Sequence, residues 1–264
     1  METISNAINQ AATYISQQTP RLAPVLASTA VAMLSSLFTA WVIADYSSWK
    51  SFGTGGTPPT WAGYWRMTKI RINHALSGPD LRDASQLNAD EGPRYLPEGF
   101  EKKPRQTPRP RIMGRTMPQR QVPYKKSDME DGVKARIDRL CATLVTKYDH
   151  LVYLAPAKTE GGAADGIYAK DDVKTLNPSV KHPKNKILQG EVGHAHPADT
   201  SLHVWLSEGD AKRVVEGGWG ERFPLLFVDR GWVMVYAPTT HAEADVIETI
   251  MRAGIGWVCG QKVD

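Results

Sequence analysis

The sequence predicts an α+β domain, an antiparallel sheet with helices packed on one side, preceded by an N-terminal transmembrane helix. Three observations carry that prediction. Leu22 to Ala44, LAPVLASTAVAMLSSLFTAWVIA, runs 23 residues without a charge, enough to cross a bilayer as a helix. Beyond residue 126, short β-rich runs recur at 151–154, 187–196, 201–206 and 232–236. Between them, apolar residues at helical spacing follow Ser127, Ser207 and Thr240, all residues that cap helices. The resulting order is helix, strand, strand, strand, helix, strand, helix. Hairpin-like strands with segregated helices make an α+β domain over 127–264.

Residues 1–21 are the polar N-terminus, of which 1–18 suit a short, weakly amphipathic helix. In the apolar run that follows, Trp41, Tyr46 and Trp49 gather at the C-terminal end, as an interfacial aromatic belt would. A secretory signal would have a shorter apolar core and a more basic start, so 22–45 reads as an uncleaved single-pass anchor. Lys50, Arg66, Lys69 and Arg71 lie just downstream and place the main domain in the cytosol, on the endoplasmic reticulum or another internal membrane. Membrane lipid is therefore an expected partner.

Residues 46–126 read as a connecting segment. FGTGGTPPTWAG at 52–63 is a turn region that lacks the Lys-Ser/Thr ending of a phosphate loop. Tyr64–Ile72 mixes apolar and basic residues and suits a helix, packed or lying on the membrane surface. Residues 91–126 hold ten Lys/Arg, three Asp/Glu and seven prolines, so the chain there is extended and irregular. Ile112, Met113, Met117 and Tyr124 interrupt the charge, which predicts an arm packed on the domain.

Within 127–264, Ser127-x-x-Glu130 has the form of a capping box, with Met129, Val133, Ile137, Leu140 and Leu144 forming a core stripe. Residues 156–185, Gly-, Lys- and Asp-rich, read as a mobile loop or lid. Ser207 caps a short helix that ends at Gly217-Gly218, and residues 219–224 read as a turn. Thr240-x-x-Glu243 opens a last helix with Val246, Ile247, Ile250 and Met251 inward. The net charge of +4 sits mostly in the Pro-rich arm and gives no nucleic-acid signal. Cys141 and Cys259 are too far apart in sequence for a disulfide framework or a zinc motif, and read as reduced thiols.

The chemistry concentrates at 191–222. His194 and His196 are two apart and share a strand face. Pro197, Asp199 and Thr200 suit a turn. On the next strand His203 and Trp205 share one face, so a hairpin brings His203 back beside the first two histidines. Imidazole is both the commonest general base near neutral pH and the commonest metal ligand. Glu191 or Asp199 would orient a histidine base. Glu191 has the wrong parity to meet His194 on a regular strand, so that pairing requires a bulge or bend. Trp205 and Trp219 would stack on a ring, and Arg222 would hold an oxyanion or carboxylate.

With these residues located, the sequence resembles the fungal luciferase family. The likeness begins at Asp45-Tyr46 and the GTGG-P pattern of 53–58 and continues through PRPRIMGRTMPQRQ at 108–121. It is strongest at E-x-x-H-x-H (Glu191, His194, His196), S-L-H (201–203) and G-W-G-E-R (218–222), and closes with V-Y-A-P (235–238) and the final helix. The resemblance implies an enzyme, an oxidoreductase of monooxygenase type in fungal secondary metabolism. The luminous members oxidise 3-hydroxyhispidin, a styryl-pyrone, with molecular oxygen, releasing carbon dioxide and light without flavin or nicotinamide. This chain has Phe223-Pro224 where the luminous protein has His-Pro, and Thr239 where it has Arg, which puts light emission in doubt.

The expectation is thus an oxygenase or decarboxylase acting on an enolic pyrone or related polyketide or phenolic ring. Molecular oxygen is the co-substrate and no organic cofactor is expected. His194, His196, His203 and Glu191 are the catalytic candidates, and Trp205, Trp219, Arg222 and Tyr236 the substrate-binding ones. The same three histidines also suit a metal. A His-based or metal-dependent hydrolase or lyase of a lactone, and a non-catalytic ligand-binding relative, are the alternatives.

Overall fold

The computed structural model describes residues 2–114, 117–225 and 227–264; Arg115 and Thr116, part of the Pro/Arg motif, lie outside that description. The chain forms two compact units, Met1–Ser48 and Trp49–Asp264. The first is helical: α1 (Glu2–Phe52) is continuous through the polar start and the apolar run. Its Pro24–Phe52 portion is long and apolar enough to cross a membrane. The abundant hydroxyls do not oppose that, because Ser28, Thr29, Ser36 and Thr39 donate to carbonyls three or four residues back. A hydroxyl satisfied within its own helix makes no demand on lipid.

The second unit is built on a six-stranded antiparallel sheet of order β3-β4-β5-β6-β8-β7. Its strands are β3 (Val152–Pro156), β4 (Asp165–Ala169), β5 (Glu191–Ala195), β6 (Leu202–Trp205), β7 (Gly220–Arg222) and β8 (Trp232–Val235). Parity sorts the two faces. Leu202 and Val204 of β6, with their partners Val235 and Val233 of β8, face the apolar core. Helices α3 (Val133–Asp138), α4 (Leu140–Lys147), α6 (Glu208–Glu216) and α7 (His241–Cys259) contribute their buried stripes to it, including Ile137, Leu144, Val214, Ile247 and Met251, while α5 (Pro178–Lys181) is a single turn between β4 and β5. Each large side chain so buried contributes about 1.5–3 kcal/mol. Gly254 lets α7 approach closely, since a Cβ there would lie 2.7 Å from Val204 Cγ1. A bulkier residue at 254 would push the helix off the sheet.

The opposite face carries one row across five strands: Gly166, His194, His203, Met234 and Glu221 are successive partners. The helices leave that face to a ribbon of β1 (Ile112–Met113) and β2 (Met117–Gln121). Helix α2 (Trp61–Ser77), capped by Thr60, packs against β2. From Trp49 on, the segment expected as connection and arm therefore lies within the same compact unit as 127–264. The sequence MPQRQ of β2 is buried throughout. Its polar groups have work there: Gln121 Oε1 accepts the Ala237 N–H at 2.8 Å, and Arg120 meets two carboxylates.

Three expectations are corrected. The capping box at Ser127 does not form. The Glu130 carboxylate instead accepts the His241 N–H at the start of α7, and the helix begins after Gly132, which is left-handed at φ 84°. Residues 156–185 are not simply a lid, since β4 lies inside them, zipped between β3 and β5. Residues 220–222 form an edge strand on β8 rather than a turn. Both missed strands are short and rely on neighbours for their ladders, so their own periodicity is weak. The helix after Ser207 and the one after Thr240 form as expected, each cap oxygen accepting the N–H three residues on. Both cysteines are buried free thiols.

Candidate functional site

The site grows from the β5–β6 hairpin. His194 and His203 are direct cross-strand partners, and their ring centroids lie 5.0 Å apart. His196 stands just past β5, where its N–H donates to the Ser201 carbonyl and closes the turn. Thr200 holds the turn in the left-handed region at φ 58°, costly for a β-branched residue. The Asp199 carboxylate offsets this by accepting both the N–H and the hydroxyl of Ser201, at 3.0 and 2.7 Å. The three imidazoles thus meet edge to face, with centroids 4.5–5.0 Å apart.

Glu191 reaches the same face through a register shift. Ile167 pairs with Gly193 but Tyr168 with Glu191, so Val192 is the extra residue of a bulge. The parity conflict in the sequence is resolved in this way. Glu191 Oε1 lies 2.5 Å from His194 Nδ1, while Tyr168 and Thr159 hydroxyls donate to Oε2 at 3.0 and 2.9 Å. Gly166, the partner of His194, makes room: a Cβ there would sit 3.2 Å from Glu191 Oε1.

The fourth member is Glu160, on a 3-10 turn between β3 and β4 that ends in left-handed Gly161. Its Oε1 lies 3.6 Å from His194 Nε2, 3.4 Å from His196 Nε2 and 3.8 Å from His203 Nδ1. Its Oε2 meets Arg120 Nη1 at 3.4 Å, and Arg120 Nε donates to Asp199 at 2.9 Å. Glu160 and the three histidines are 0–3% exposed, so solvent screens these charges little. Among the described residues, they are the one group of His, Cys, Asp or Glu whose candidate ligand atoms converge, all within 4.8 Å.

The charges divide accordingly. Burial works against a charged Glu160, yet the imidazoles of His194 and His196 beside it outweigh that and hold the carboxyl well below its usual range. Burial also opposes a charged His194, but Glu191 and Glu160 push it up to about 9. His203 is driven down to about 3 by burial and then by the neighbouring His194 charge. Burial and the Arg120 guanidinium keep His196 neutral as well.

This cluster forms one wall of a cavity of about 250 Å³, to which Glu160 and His203 contribute directly. Met67 and Ile70 of α2, Leu188, Phe223, Phe227 and Trp232 supply apolar wall, and Gln119 and Thr159 polar edges. Phe223 stands edge-on to His203 at 4.9 Å, and Trp232 lies 5.8–6.0 Å from His203 and His194.

Of the residues singled out in the sequence, His194, His196, His203 and Glu191 come together. Trp205, Trp219, Arg222 and Tyr236 do not line this cavity. Trp205 is fully buried and paired across the sheet with Trp232. Trp219 belongs to the core, its indole N–H donating to the Lys103 carbonyl at 2.9 Å. Arg222 ties β7 to the Asp80 carbonyl. Tyr236 donates to Glu221 at 3.0 Å, beside a separate hollow that includes Arg82 and Arg109. The aromatic wall comes instead from Phe223 and Trp232. Glu160, in a loop without periodicity, carried no signal beyond the Gly161-Gly162 turn after it. Arg120 lay in a recognised motif, but nothing local pointed it inward.

Residues 189–254 match the family model of the Luciferase domain, a span that holds Glu191 and all three histidines. The chain is 27% identical over 240 residues to a luciferase of Armillaria gallica, covering 87% of this chain and 86% of that one. It is 28% identical over 242 residues to a luciferase of Armillaria mellea, with the same coverage. To a luciferase of Neonothopanus nambi it is 28% identical over 139 residues, half of this chain and 52% of that one. No solved structure matches. The chain thus matches the Luciferase domain model over residues 189–254 and is similar to fungal luciferases over most of its length.

Proposed function

We propose that this protein is an oxygen-consuming enzyme that acts on an enolic pyrone or a related phenolic ring, held on a membrane by Pro24–Phe52. The observation that carries the reading is that a buried cluster of three imidazoles and a carboxylate reaches, through Glu160 and His203, a cavity with a large aromatic and aliphatic wall. An apolar cavity of about 150 Å³ takes up benzene, so about 250 Å³ suits a somewhat larger ring system. In this reading the ring lies against Phe223 and Trp232, and its enolic oxygen meets Glu160 and His203. Loss of the enol proton to the cluster gives an enolate, and the enolate is the electron donor to molecular oxygen. Arg120 holds Glu160 in place, and Glu191 holds His194. Trp205, Trp219, Arg222 and Tyr236 have supporting roles in the fold here. The likeness to luciferases supports oxygen as co-substrate; light is not part of the proposal.

The test is incubation with a panel of α-pyrones, with and without air, following oxygen uptake and product mass. Oxygen uptake is expected with at least one pyrone, falling about 10²–10⁴-fold in His203→Ala. Ring opening without oxygen uptake would make the protein a lactone hydrolase instead. No turnover of any pyrone would leave a binding protein and defeat the reading.

A further inference from the structure

We infer that Glu160, His194, His196 and His203 hold a divalent first-row transition metal ion. The argument lies in where the lone pairs point. His203 Nε2 lies 3.1 Å from the Gln119 carbonyl oxygen, which can only accept, so Nε2 carries the hydrogen. His194 Nδ1 faces the Glu191 carboxylate and donates to it in the same way. The Ser201 hydroxyl donates to Asp199, so it accepts from His196 Nδ1 at 3.0 Å. Unless His194 carries the extra proton that charges it, the remaining nitrogen of each ring is then a bare acceptor. Those three nitrogens are the ones that converge, with Glu160 Oε1 as a fourth acceptor. Nε2 of His194 and of His196 are 3.1 Å apart, too close for two lone pairs with nothing between them.

Four acceptors around one point, away from water, require a positive charge at that point. The spacing approaches that of a metal site. Ligands at about 2.0–2.1 Å in a tetrahedron are about 3.3 Å from one another; the distances from Glu160 Oε1 to the three nitrogens and between the His194 and His196 nitrogens run from 3.1 to 3.8 Å, and all four atoms lie within 4.8 Å of one another. Each ring is also oriented from behind, by Glu191, Ser201 or the Gln119 carbonyl, as metal-bound histidines are. The second oxygen of Glu160 is taken by Arg120, which leaves the first to point inward. Three nitrogens and one oxygen select iron, manganese, cobalt, nickel, copper or zinc over magnesium or calcium, which prefer all-oxygen sites.

The inference rests on the same cavity as the oxygenase reading and deepens it, because Glu160 and His203 would present the ion to the bound ring. The competing account is a single proton on His194 shared with His196 and Glu160. Elemental analysis of tag-free, full-length protein in detergent, purified without chelator, separates the two. About one ion per chain is expected, in the wild type and in the His182→Ala control. At least a tenfold lower content is expected in His196→Ala and in Glu160→Ala. Glu191→Gln, which alters only the orienting partner, should weaken metal binding by about 10–100-fold. Should the alanine variants fail to fold, stripped wild type titrated with cobalt(II) gives a second measure: visible absorption bands saturating near one equivalent. Less than a tenth of an equivalent of each of these metals after reloading, or equal retention by folded variants, overturns the inference. Metal-free protein that still consumes oxygen refutes the metal and keeps the oxygenase. Metal-loaded protein inert toward every pyrone keeps the metal and refutes the oxygenase.

Discussion

Replacing Arg120 by methionine should destabilise the second unit by about 3–5 kcal/mol, the range for breaking a buried ion pair and stranding its partner. The guanidinium is almost fully buried between two carboxylates, 2.9 Å from Asp199 and 3.4 Å from Glu160. At an effective dielectric constant of about 20 those separations give gross attractions of about 6 and about 5 kcal/mol. Desolvation of three charges offsets much of that in the wild type. In the variant the attraction vanishes while both carboxylates stay buried. Methionine keeps the volume, so little of the loss comes from a cavity. The stacking of Arg120 over Phe52, at 5.0 Å, adds about 1 kcal/mol. Arg120→Lys should fall between the two, because an ammonium cannot span both carboxylates as the planar fork does. Thermal unfolding followed by near-UV circular dichroism, in detergent with chelator throughout, reports on the packed aromatic side chains, Trp205 and Trp232 among them. A unit of this size should lose about 10 °C in Tm. A loss below about 1 kcal/mol for Arg120→Met, or a lysine variant equal to wild type, would refute the reasoning.

Three further outcomes are expected. Burial pushes the Glu221 carboxyl up from 4.5 to about 7, against the hydrogen bond from Tyr236 that favours its charged form. The folded state therefore holds a proton that the unfolded state has lost, so this contribution is complete below about pH 4.5 and fades as pH rises through 7. It is worth at most about 3 kcal/mol. Urea unfolding at pH 5 and pH 8 should show the fall in wild type, and Glu221→Gln should flatten it; parallel slopes would count against it. Gly166→Ala should displace the Glu191 carboxylate and lower turnover about tenfold with Tm nearly unchanged, and wild-type rates in that variant would show that the contact is dispensable. Deleting residues 1–45 should move the protein from the membrane pellet to the soluble fraction with oxygen uptake intact, whereas full-length protein that sediments with no membrane would contradict an anchor.

The sequence by itself carried the apolar span, the helices after Ser207 and Thr240, the β5–β6 hairpin and the meeting of its three histidines. Each is a local matter: a charge-free run, a cap with its periodic stripe, or parity across a short turn. It even stated the condition for Glu191 to join them, a break in regular pairing, without showing that the break exists. What only the tertiary structure decided is non-local. Glu160 enters from a turn more than thirty residues upstream, and Arg120 from an arm that composition alone presents as irregular chain. Neither has a periodicity that points inward, because Arg120 is placed by the separate β1–β2 ribbon and Glu160 by a turn between β3 and β4. The aromatic wall shows the same limit. Trp205 and Trp219 look suited to a ring, yet the cavity uses Trp232 and Phe223. Which tryptophan faces a cavity depends on strand order and on what covers the sheet, and a tryptophan's own neighbours in sequence hold no record of either.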